Sequence, residues 1–219
     1  MITLQEVKAN PIVDSFIRNG NKYLGVMGFT EHSYRHVNLV SSIARNILER
    51  LGYPEREAEL AAIAGYLHDL GNVVSRSQHG ISGALIAFRV LDGMGMEPDE
   101  MAKVISAIAN HEEEYGQPVN TVAAALILAD KSDVHRSRVR NPDIATFDIH
   151  DRVNYAAEHS FLWVHEDRRA VTLELTIDIE ICPVMEYFEI FLTRMALCRR
   201  AANFLNSNFE LVINGAKLL

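Results

Sequence analysis

Apolar residues recur every three or four positions through most of the chain, the period of helices that bury one face. Val37, Val40, Ile43, Ala44, Ile47 and Leu51 form one such stripe, which predicts a helix capped by Thr30 and closed by Gly52. A short helix is expected after Thr3, and a second from Pro11 to Gly20 or Gly25. Pro54 opens the next, with Glu55, Glu57 and Glu59 near its positive end. It runs through the small apolar residues Ala61, Ala62, Ala64 and Gly65 and stops at Gly71. Further helices are expected at 79–94, 98–113, 119–138 and 148–159.

The period changes after His159. Val171, Leu173, Leu175, Ile177 and Ile179 alternate with polar residues, as in a half-buried strand. Phe161–Val164 is a short apolar run before it, and the polar His165–Arg169 between them suits a hairpin loop. A long amphipathic helix is expected over Pro183–Asn206 and a third strand over Phe209–Ile213. The expected fold is mainly α: a helical bundle over residues 1–160, then a small C-terminal α+β unit over 161–219 with about three strands and one long helix. So small a sheet has edges that the bundle or a second copy of the chain must cover, so a homodimer is one expected arrangement. Trp163, Tyr187, Phe188, Phe191 and Phe204 fall at core-like positions of that unit.

Composition adds exclusions. Lys and Arg number 21 against 29 Asp and Glu, a formal charge of −8, which does not suit a protein that coats nucleic-acid polymers. Small phosphorylated substrates are not excluded, because a bound cation inverts the local field. Two cysteines, Cys182 and Cys198, give neither metal spacing nor disulfide density. The apolar runs Ala61–Leu67 and Val122–Ala129 fall far short of the ~20 residues of a membrane span. A cytoplasmic protein with no membrane partner is expected.

The candidate chemistry begins with His68-Asp69, two metal-ligand types side by side at the end of a small-residue helix. Buried together, they are costly unless paired or bound to a cation. His36 lies on the preceding helix, with His32 and Arg35 beside it. Asp130 closes the apolar run 122–129 and is followed by Lys131, Asp133, Arg136 and Arg138. His79 begins a helix and His111 ends one. Bundles commonly build metal sites from side chains on facing helices. Asp133 and Arg136 read as a helical ion pair.

The ordered set His36…His68-Asp69…Asp130, with "AAIAGYLHDLG" and "ALILADKSDVHR", resembles the HD superfamily of metal-dependent phosphohydrolases over residues 30–138. The resemblance implies a helical bundle that holds one or two divalent transition metals (Fe, Mn, Ni, Co or Zn) and hydrolyses small phosphate esters, above all nucleotides. It places the first metal on His36, His68, Asp69 and Asp130. His79 and His111 resemble the added histidines of binuclear members, in which Asp69 would bridge. His32 is a rival to His36 for the first ligand position; His36 is preferred because its distance to His68 fits the family spacing. Asp69, Lys131 and Arg35 are the expected catalytic residues, with Arg76 and Arg138 as further phosphate contacts. Many family members carry Lys where this chain has Asn72, and the C-terminal unit matches no catalytic motif. Two other functions share the scaffold: a di-iron oxygenase, and a regulatory module that keeps metal without catalysis.

Overall fold

A computed structural model describes residues 1–219. Nine helices form the bulk of the molecule: α1 (Leu4–Lys8), α2 (Pro11–Val26), α3 (Tyr34–Arg50), α4 (Glu55–Leu67), α5 (His79–Gly93), α6 (Pro98–Ala109), α7 (Thr121–Lys131), α8 (Ile149–Ala156) and α9 (Val184–Phe204). Four strands follow or interleave with the last of them: β1 (Ala157–His165), β2 (Ala170–Ile177), β3 (Asn208–Ile213) and β4 (Ala216–Lys217). The architecture is the mainly α bundle with a small C-terminal sheet that the periodicity predicts. No helix is long and apolar enough to cross a membrane.

The central element is α7. Every residue from Val122 to Lys131 is buried, as expected of a helix apolar on all sides. Around it pack α3, α4, α6 and α9. Close approach of α3 and α4 depends on Gly65, where a Cβ would stand 2.8 Å from the Ser41 Cα. Gly71 plays the same part beyond α4. A Cβ there would lie 1.9 Å from the carbonyl oxygen of His79, so only glycine lets the start of α5 approach the turn that follows His68-Asp69.

The sheet has the order β1-β2-β3-β4, with β1–β2 and β3–β4 antiparallel and β2–β3 parallel. A parallel pair needs a crossover, and α9 supplies it. On its way α9 lies against α7 as well as β3, so one core cluster runs from Val7 in α1 to Ile213 in β3.

Several boundaries differ from the sequence reading. Ser33, not Thr30, caps α3; the Thr30 carbonyl instead accepts from the His32 ring. Helix α6 stops at Ala109 rather than residue 113, freeing His111 and Glu112 to turn inward, and α7 stops at Lys131, freeing Asp133. Helix α8 ends at Ala156 because the chain enters β1 there. The two-residue β4 was not expected. Asp133 and Arg136 are not an ion pair: Asp133 binds Arg35, His36 and Arg138, while Arg136 reaches Glu158. Tyr187 and Phe191 are core residues, but Trp163 and Phe204 are exposed. Trp163 lies beside Phe161 and donates through Nε1 to Glu174 across the sheet.

Candidate metal centre

Six side chains from separate parts of the bundle converge. His36 comes from α3, His68 and Asp69 from the end of α4, His79 from the first position of α5, His111 from the turn after α6, and Asp130 from α7. All six are buried. Around one point stand His36 Nε2, His68 Nε2, Asp69 Oδ2 and Asp130 Oδ1. The two imidazole nitrogens are 3.1 Å apart, and each is 3.4–3.6 Å from the two carboxylate oxygens. Around a second point stand Asp69 Oδ1, His79 Nε2 and His111 Nε2, with 3.1 Å between the nitrogens and 3.4 Å from Asp69 to His79. Asp69 thus presents one oxygen to each group.

The other nitrogen of every ring is committed. His68 Nδ1 donates to the Gly65 carbonyl at 2.8 Å, His79 Nδ1 to the Arg76 carbonyl at 3.0 Å and His111 Nδ1 to the Ile108 carbonyl at 2.6 Å. His36 Nδ1 donates to Asp133 Oδ2 at 2.7 Å. A carbonyl only accepts, so these bonds put the proton on Nδ1 and leave a lone pair on each Nε2. Two lone pairs 3.1 Å apart repel unless a cation or a proton lies between them. Asp69 Oδ2 is also buried without a hydrogen-bond partner, an arrangement that is costly in the absence of a cation. Imidazole and carboxylate donors of this kind suit Fe, Mn, Co, Ni or Zn, and donors held through their second nitrogen are characteristic of metal sites.

Electrostatics follow from burial and crowding. Burial raises Asp69, but His68, His32 and His36 outweigh it and hold the carboxyl well below its ordinary range. Burial likewise raises Asp130, and Lys131 with the two histidines more than reverses it. Burial lowers His68, yet Asp69 and Asp130 leave it raised. Burial and the neighbouring His79 push His111 down to about 3, so that ring stays neutral.

The remaining residues singled out from the sequence fall into two groups. Lys131 is buried beside the cluster, with Nζ 2.6 Å from Asp130 Oδ2 and 3.3 Å from Glu113 Oε1. Arg76 approaches Asp69 Oδ1 at 4.0 Å. Asn72 donates to that same oxygen at 2.7 Å, so it tethers the carboxylate. Arg35 is turned to other work. Its guanidinium grips both oxygens of Asp133 at 2.8 and 3.1 Å, bracing the carboxylate that holds His36, and it lines a separate cavity of about 600 Å³ beside β1. His32 is buried between the Thr30 carbonyl and Arg138, and Arg138 is further tied to the Glu31 and Asp133 carbonyls.

A cavity of about 770 Å³ opens onto Asp69, His79, Asp130 and Lys131, within the size range of small-molecule sites. Three residues of its wall were not singled out for the site by the sequence reading: Glu112, which holds His79 and the Gly80 N–H; Glu113; and Arg194 of α9. The only signal for the first two was their place next to His111, and Arg194 gave none.

The fold and site define a helical bundle with a buried histidine–carboxylate centre. Residues 31–135, just under half of the chain, match the model of the HD domain. An uncharacterized protein of Methanocaldococcus jannaschii, MJ1020, is 26% identical, with 80% of this chain and 76% of the relative covered. Among solved structures, that of a predicted HD superfamily hydrolase from an uncultured Thermotogales bacterium is similar, with 24% identity, a TM-score of 0.46 and coverage of 61% of this chain and 75% of that one.

Proposed function

We propose that the protein is a metal-dependent phosphohydrolase that cleaves a small phosphate ester, a nucleotide or related compound, at a two-metal centre. The observation that carries the reading is the pair of Nε2–Nε2 contacts at 3.1 Å, joined by the two oxygens of Asp69. They are two donor sets with a common carboxylate. His36, His68, Asp69 and Asp130 would hold one divalent ion, and Asp69, His79 and His111 the other. When bound, such ions acidify a water and neutralise charge on the phosphoryl oxygens.

The chain's own groups prepare that chemistry. The four anchored Nδ1 atoms fix the direction of each Nε2, so little reorganisation is needed on loading. Lys131, whose protonated form is favoured by Asp130 and Glu113 despite burial, fixes the outer oxygen of Asp130 and adds positive charge at the cavity floor. Arg35 acts behind His36 through Asp133. The five apolar or aromatic residues Met27, Phe29, Tyr115, Ile190 and Phe191 give the cavity wall room for a ring beside a phosphate.

The test is metal analysis of purified protein, followed by phosphate release from a panel of nucleoside monophosphates with added Mn, Fe, Co, Ni or Mg. Metal-dependent release supports the reading. Bound iron with oxygen uptake and no phosphate release would replace it with an oxygenase, and bound metal with neither activity would replace it with a regulatory role.

A further inference from the structure

We infer that α9, which lies outside the matched HD segment, supplies the residue that grips the substrate's phosphate: Arg194, working as a specificity arm for phosphomonoesters. The inference rests on the phosphohydrolase reading for its substrate class. It rests on the following geometry for its residue.

Six cationic or imidazole groups besides the six donors border the cavity; His150 is exposed, and the others except Arg194 are largely committed to the protein. Lys131 is taken by Asp130 and Glu113. Arg138 spends its nitrogens on the carbonyls of Glu31 and Asp133 and on His32. His32 is in turn consumed by Arg138 and the Thr30 carbonyl. Arg76 spends Nη1 on Asn72 and His79 and belongs to the loop before α5.

Arg194 is different. Its Nε donates to Glu113 Oε1 at 2.9 Å, and its guanidinium carbon lies 4.2 Å from the centre of the Phe191 ring. Those two contacts fix the plane of the group. Neither Nη nitrogen hydrogen-bonds to the protein, and neither is sealed from the cavity. The result is a nearly buried, oriented fork with two outward donors, the geometry that binds two oxygens of one phosphate. Glu113 Oε1 also meets Lys131 Nζ, which meets Asp130 Oδ2. Arg194 is therefore joined to the metal-type cluster by three successive charged contacts. Arg194 and the cluster residues Asp69, His79 and Asp130 line the same cavity. Phe191 and Ile190, one helical turn and one residue further back, add apolar surface for the rest of the ester.

The same wall carries Glu112, Glu114, Asp148 and Asp151. Against that acidity, an anion needs a dedicated cation as well as bound metal. This requirement favours Arg194 as the gripping residue rather than an incidental surface charge.

The experiment compares full-length, manganese-loaded wild type with R194A, R194K and F191L. Inorganic phosphate and adenosine 5′-monophosphate serve as calorimetric probes, and metal content and melting are checked for each variant. Loss of a charged bidentate contact predicts phosphate affinity lower by roughly 10- to 100-fold in R194A. R194K should recover part of it, with manganese content unchanged in both. F191L, which removes the ring face that orients Arg194, should lower phosphate affinity less than R194A does and weaken the monophosphate further. Phosphate affinity in R194A within twofold of wild type overturns the inference, as does wild type that binds no phosphate. Parallel loss of manganese in R194A and R194K also overturns it, because Arg194 would then act only through Glu113 and Lys131. Phosphate binding that depends on Arg194 in a protein that releases no phosphate would remove the hydrolase reading and leave this one. Hydrolysis with an unchanged KM in R194A would do the reverse.

Discussion

Asp133 Oδ2 lies 2.7 Å from Nδ1 of His36, a carboxylate fastened to the back of an imidazole that comes from 97 residues earlier in the chain. The contact fixes the tautomer of His36 and the direction in which Nε2 points. Arg35 and Arg138 hold the carboxylate itself.

Asp133→Ala should therefore weaken metal binding by about 10- to 100-fold without removing a ligand, the usual cost of losing such a partner. Competition with a chelator of known affinity measures it. An unchanged affinity would mean that the α3 backbone alone orients His36.

The two donor sets predict about two metals per chain. His79→Ala or His111→Ala should leave about one, whereas Asp69→Ala, which strips a donor from both, should leave close to none. Elemental analysis of dialysed protein decides between these. His32→Ala should keep its metal, since both ring nitrogens are bonded elsewhere. Equal loss in His32→Ala and His36→Ala would contradict that assignment.

Glu113 gives a pH dependence. Burial raises its carboxyl, but Lys131 and Arg194 outweigh burial and hold it below the ordinary value of 4.5. The unfolded chain then takes up the proton first. The stabilisation is complete above about pH 4.5 and is lost as the pH falls through the native value. Glu113→Gln should flatten the acid side of a plot of unfolding midpoint against pH by at most one proton. Curves that stay parallel below pH 4.5 would show that the pairing does not stabilise the fold.

Gly65→Ala tests the helix contact that carries His68. The added carbon would meet Ser41 backbone atoms at 2.8 and 2.9 Å, so α3 and α4 must separate. A cost of about 1–3 kcal/mol is expected from overpacking. Denaturant titration reads it, and a wild-type midpoint would show that the helices have slack.

The six clustered residues were legible because they stand near helix ends or on inward faces of apolar helices. His68-Asp69 after Ala61–Leu67 and Asp130 after Val122–Ala129 are conspicuous breaks in patterns that otherwise demand burial. The stripe of α3 was legible for the same reason, and it placed His36. Asp133 was not: its neighbour at helical spacing, Arg136, offered a local partner, and only tertiary structure brings His36 and Arg35 to it instead. The early ends of α6 and α7 were hidden for a related reason. Their last turns are given up so that His111, Glu112 and Asp133 can face inward, an advantage that local propensity does not record. Arg194 had no signal because one arginine on a long amphipathic helix looks like any solvated charge until α9 is laid against α7.

The order of the donors along the chain bears on how the protein is made. His36 emerges first and Asp130 last, on the helix around which the others pack. A ribosome-bound chain short of α7 has neither the fourth donor of one set nor the helix that brings the two sets together. During synthesis, capture of an ion by the set of His36, His68, Asp69 and Asp130 would therefore wait for α7. An ion held by all four of these donors would thus be a record that the bundle had closed around it.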